Sequence, residues 1–116
     1  MIRLEYSQIV RRKLKKLRNE LTENYGENSS KRILLNITQG VRRLETFPKS
    51  GTRISSQYDI ESDYRYIFVE HNYFFYRIKD KNTILILEMF HEKEDFMRKL
   101  FGIESTSQDT IDYWGE

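Results

Sequence analysis

Arg65, Tyr73, His91, Lys93 and Arg98 fall within one aromatic-rich stretch, residues 62–102, SDYRYIFVEHNYFFYRIKDKNTILILEMFHEKEDFMRKLFG. Their types suit an anionic partner. A guanidinium can fork onto a phosphate, an ammonium adds a point charge, and a phenol offers a ring face with a polar tip. An imidazole, with an ordinary pKa of about 6.5, can move a proton near neutrality. Cutting RNA without a metal needs a group to activate the 2′-hydroxyl, another to protonate the leaving oxygen, and cations for the charge that develops on phosphorus. Arg65, His91 and Lys93 are the candidates for that catalytic set. Arg65, Tyr73, Lys93 and Arg98 are the candidates for holding a phosphate or a macromolecular target. Plainer readings stand beside these. Arg65 could bridge to Asp63 or Glu70, His91 beside Glu92 and Glu94 could be a surface hydrogen-bonding residue, and Lys99 could pair with Asp95 at i,i+4. No metal-ligand constellation, cysteine or glycine-rich phosphate loop is present, so neither a metal nor another cofactor is expected.

Charge is distributed unevenly. All 20 Lys and Arg lie at or before Lys99, whereas Glu104, Asp109, Asp112 and Glu116 lie after Gly102. Residues 1–102 therefore carry 20 basic against 14 acidic residues, a net +6, although the whole chain is only +2. The densest basic run is RRKLKKLR at Arg11–Arg18. It either tracks phosphate, with an affinity that salt would weaken steeply, or is an ordinary solvated helix face. The segment 103–116 reads as a flexible acidic tail. Alternatively its acids and the Ile111, Tyr113, Trp114 cluster fold back over the basic surface and mimic an anionic partner.

The elements that must position these groups follow from periodicity. Ile2, Leu4 and Tyr6 alternate with charged residues as in a short strand. Ser7 is a good N-cap for a helix whose stripe is Val10, Leu14, Leu17, Leu21 and Tyr25, with Gly26 at its end. A second helix starting after Asn28, Ser29 or Ser30 carries Ile33, Ile37, Val41 and Leu44, and Pro48 stops it. A Gly-Glu-Asn-Ser linker would join the two into an antiparallel hairpin, with Gly40 allowing close packing on the first helix. Residues 48–60 read as a loop. Strands follow at 64–70, 73–79 and 83–90, joined by tight turns at His71-Asn72 and Asp80-Lys81-Asn82. A short helix is expected at 94–101. The order β-α-α-β-β-β-α gives an α+β fold, a small, mainly antiparallel sheet covered by a two-helix hairpin, in one domain over residues 1–102. No apolar run is long enough to span a membrane, and MIRLEYSQIVRRKL lacks a signal peptide's apolar core, so a cytoplasmic protein is expected.

These residues resemble the RelE/ParE superfamily of type II toxin–antitoxin toxins. The likeness rests on the first strand and helical hairpin, on RRLETFPKSG at Arg42–Gly51, on the strand pair SDYRYIFVEHNYFFYRI, and on the closing LEMFHEKEDFMRKLFG. It implies a toxin that arrests growth, held inactive by a cognate antitoxin protein, as a possible homodimer or toxin–antitoxin heterotetramer. RelE-type members are endoribonucleases that cut mRNA on the ribosome, whereas ParE-type members inhibit DNA gyrase without being enzymes. Tyr73 stands where RelE-type toxins carry an arginine, and Phe96 where they carry a tyrosine. Glu92-Lys93-Glu94 replaces a basic pair. Both targets stay open on this reading, beside a toxin-derived domain that only binds its partner.

Overall fold

The computed structural model describes residues 2–57, 61–94 and 99. Its elements are β1 (Arg3–Tyr6), α1 (Gln8–Tyr25), α2 (Glu27–Arg42) running into a 3-10 turn at Arg43–Glu45, β2 (Thr52–Arg53), a single helical turn α3 (Ile54–Gln57), β3 (Arg65–Val69), β4 (Asn72–Asp80) and β5 (Thr83–His91). They form two long helices over one five-stranded sheet of order β1-β5-β4-β3-β2. β1 runs parallel to β5, and the other three pairings are antiparallel. The expected α+β architecture is present. Most of the expected closing helix and the whole of 103–116 lie outside the described residues.

Ser7 links the strand to the helix. Its Oγ accepts the Val10 N–H at 3.1 Å, capping α1, and its hydroxyl donates to the Leu87 carbonyl at 2.9 Å. The helices are joined by Gly26 alone, not by a four-residue linker. Its φ of +89° reverses the chain, its N–H donates to the Thr22 carbonyl, and its own carbonyl accepts from Ser30. Glu27 therefore opens α2 directly, an acid at the positive end of the helix dipole.

Three further details differ from the pattern-based reading. Gly40 makes room for the sheet, because a Cβ there would sit 2.8 and 2.9 Å from the Val69 methyls of β3. The β3–β4 turn is Glu70-His71, both at positive φ (49° and 66°), and Asn72 already belongs to β4 as the partner of Val69. This is the two-residue geometry that matches strand twist, here without the usual glycine. The segment after Pro48 holds β2 and α3 rather than a plain loop.

The main core lies between helices and sheet, with Val10, Ile37, Val41 and Leu44 on Phe74, Tyr76, Ile84, Ile86 and Met89. A register shift puts Tyr76 opposite Ile86 but Phe75 opposite Glu88, so Leu87 is an extra residue, and Ile84, Ile86 and Met89 all face the helices. A smaller cluster of Ile54, Phe75 and Phe90, flanked by Tyr64, Tyr66 and Tyr73, occupies the other face.

Candidate functional site

The register separates the sequence-derived candidates. Arg65 opens β3 opposite Tyr76, whereas His91 closes β5 opposite Asn72, the partner of Val69. Four residues along the strands and two strands across amount to on the order of 15 Å. Arg65 and His91 therefore stand at opposite ends of the sheet.

At the Arg65 end the polar groups are engaged with backbone. The Arg65 guanidinium donates through Nη1 to the carbonyls of Lys49 (3.2 Å) and Gly51 (3.1 Å). The fully buried Tyr76 hydroxyl donates to the Pro48 carbonyl at 2.8 Å and accepts the Gly51 N–H at 3.0 Å. Burial raises the Tyr76 phenol above its ordinary pKa, opposed by the Gly51 N–H and by Arg65. Together Arg65 and Tyr76 pin the chain that follows the Phe47-Pro48 helix stop. The acids expected near Arg65 go elsewhere: Asp63 lies 3.8 Å from Arg77, and Glu70 accepts from Asn36 at 3.0 Å. Arg65 also borders a hollow of about 590 Å³ whose other charged lining residues are Arg53, Glu61 and Asp63. That lining is charge-balanced, a poor lure for a polyanion.

At the other end, His91 and Lys93 are exposed and close together, with the Lys93 N–H donating to His91 Nδ1 at 3.2 Å. Glu94 accepts the His91 N–H at 2.9 Å and pairs with Lys99 at 2.8 Å, so Lys99 pairs with Glu94. Partial burial pushes the Glu94 carboxyl up, but the Lys99 ammonium and the His91 N–H outweigh it and hold the pKa below the ordinary value. His71 in the turn contacts Glu92 at 3.2 Å. Tyr73 is half-buried in an aromatic ladder, its ring 5.4 Å from Tyr66 and 4.9 Å from Phe68. Asp95, Phe96 and Arg98 lie outside the described residues.

The basic run divides by helix geometry. Lys13 does not face solvent with its neighbours. It reaches over the part of β5 that the short β1 leaves uncovered, donates to the Met89 carbonyl at 2.9 Å, pairs with Glu88 at 2.7 Å, and sits 4.4 Å above the Phe90 ring. Lys16 lies 4.0 Å from Glu20. Among the described residues, no ion pair engages Arg11, Lys15 or Arg18. These three border a groove of about 490 Å³ between α1 and α2, with Tyr6, Leu14, Leu34 and Ile37 as its apolar floor. Leu35, Ile9 and Tyr25 add exposed apolar surface elsewhere on the hairpin. The sequence marks the basic run as a candidate polyanion surface, but not the apolar groove that it rims. Its signal in the sequence is basic residues at i, i+4 and i+7 beside the edges of two apolar stripes. Among the described residues no cluster of His, Asp or Glu could hold a metal, and no helix is long and apolar enough to cross a membrane.

No curated protein matches the sequence. Among solved structures, a chromosomal ParDE toxin–antitoxin system from P. aeruginosa is similar, with a TM-score of 0.64 at 17% identity over 78% of this chain and 96% of that one. At that identity the likeness establishes the fold. The family model for the ParE toxin of the type II toxin–antitoxin system parDE matches residues 4–96. That span takes in both long helices, the whole sheet but for Arg3, and both of its ends, and the chain belongs to the ParE toxin family.

Proposed function

We propose that this protein arrests growth as a toxin that binds and blocks DNA gyrase, and that a cognate antitoxin neutralises it. The observation that carries the choice is the separation of Arg65 from His91 and Lys93, together with the commitment of the Arg65 guanidinium to two backbone carbonyls. General acid–base cleavage needs its donors within hydrogen-bonding reach of one reacting phosphate, and a spacing on the order of 15 Å defeats that. A toxin that works by occupying a surface needs no such convergence. In this reading Arg65 positions the Pro48–Gly51 segment. Tyr73, His91, Lys93 and Arg98 serve as contacts to the target.

Induced expression in a bacterial host without the antitoxin tests the proposal. Growth should stop with DNA damage and an induced SOS response while transcripts stay intact, and His91→Ala should still arrest growth. Messenger RNA cut within codons, with arrest lost in His91→Ala, would instead identify a ribosome-dependent endoribonuclease. Normal growth at high expression would identify a domain that only binds its partner.

A further inference from the structure

We propose that the acidic segment 103–116 docks into the groove between α1 and α2 of its own chain, as a built-in ligand that an external partner must displace. The proposal concerns a surface other than either end of the sheet and stands whether or not gyrase is the target.

Three cations at i, i+4 and i+7 on one helix repel one another, and a helix surface normally relieves this with interspersed acids. Glu20 of α1 relieves Lys16 and Glu88 of β5 relieves Lys13, but among the described residues no acid pairs with Arg11, Lys15 or Arg18. Those three stand beside the apolar floor of Tyr6, Leu14, Leu34 and Ile37. A complementary occupant needs apolar groups for the floor with acids spaced between them for the rim. The segment after Gly102 has that composition and no cation: Asp109 and Asp112 bracket Ile111, and Tyr113 and Trp114 precede Glu116.

The segment is long enough to arrive. Lys99 is tied to Glu94, whose carboxylate feels Lys13 on the sheet side of α1, and the groove lies on the other side of the same helix. The 12 residues from Gly102 to Trp114 alone reach up to about 40 Å when extended, several times the ~10–12 Å diameter of the helix to be crossed. Tethering also presents the tail at an effective concentration of order millimolar, so an intrinsically weak contact suffices to keep the groove filled.

Trp114 is the chain's one tryptophan, so its fluorescence reports the tail directly. The full chain, the free peptide 103–116 and the triple variant Arg11→Glu/Lys15→Glu/Arg18→Glu should be compared by emission maximum and acrylamide quenching. The full chain should emit to the blue of the peptide, with quenching reduced severalfold and unchanged over a hundredfold range of protein concentration. The triple variant should return to peptide-like values with unaltered far-UV circular dichroism, and adding Asp109→Lys and Asp112→Lys should restore the protection. Peptide-like emission from the full chain would overturn the proposal. So would protection that survives the rim reversal, which would place Trp114 elsewhere, for instance beside Ile67–Val69 of β3, beyond the two-residue pairing with β2. Protection that grows with concentration would mean that a neighbouring chain's tail fills the groove, and would overturn it equally. No readout depends on growth arrest, so failure here leaves the toxin reading where it stands.

Discussion

The two ends of the sheet solve opposite problems with similar residues. Around Arg65 an arginine, a tyrosine and a glycine are locked together: two guanidinium hydrogen bonds, two phenol hydrogen bonds and no space for one extra carbon at Gly51. Around His91 the chain is exposed, and its polar groups make short-range contacts with Lys93, Glu94 and Lys99. A cation in a suggestive motif is therefore not free merely because of the motif. The backbone carbonyls of a chain leaving a helix need donors, and Arg65 supplies them.

The Arg65 end is most vulnerable at Gly51. A Cβ there would lie 2.5 Å from the Tyr76 hydroxyl and 2.9 Å from the Tyr66 carbonyl. Gly51→Ala should therefore lower stability by about 3 kcal/mol, the upper range of overpacking, read from a denaturant midpoint. Tyr76→Phe keeps the ring but strands a buried N–H and a part-buried carbonyl, and should cost about 2 kcal/mol in the same measurement. Arg65→Ala loses two bonds at a half-buried site and should cost about 1 kcal/mol. At the opposite end His91→Ala should stay within ~0.5 kcal/mol of the parent, as exposed substitutions do. Should His91→Ala prove as damaging as Arg65→Ala, the contrast between the ends fails.

Acid sharpens the same contrast. The folded-state pKa of Glu94 is depressed, so its contribution to stability is complete above the ordinary glutamate pKa and fades as pH falls through the lower folded value. The parent should lose stability in that acid window slightly faster than Glu94→Gln, whose melting temperature lacks this component. Because Glu94 is largely solvent-screened, the difference should be the smallest of the set.

Much of this was legible in the chain. The stripe Val10–Leu14–Leu17, the cap at Ser7, the stop at Pro48 and the three closing strands follow from local chemistry, and the family likeness gave their assembly. What escaped was decided by tertiary neighbours. Thr52-Arg53 is too short to show a period, and it becomes a strand because Arg65 and Tyr66 lie beside it. Gly40 announces a close approach without saying to what, and the neighbour is Val69 rather than the first helix. The run RRKLKKLR reads as one basic face, yet 100° per residue turns Lys13 toward β5 and Lys15 toward the groove. Nor does a sequence display the carbonyls that occupy Arg65.

The most direct test of action by binding is a titration of the purified chain against gyrase supercoiling a relaxed plasmid, run beside programmed ribosomes carrying a labelled mRNA. Inhibition of supercoiling that saturates near one toxin per gyrase subunit, with the mRNA uncut, is the predicted result. Cleavage of many mRNA molecules by each toxin, with supercoiling untouched, would contradict it.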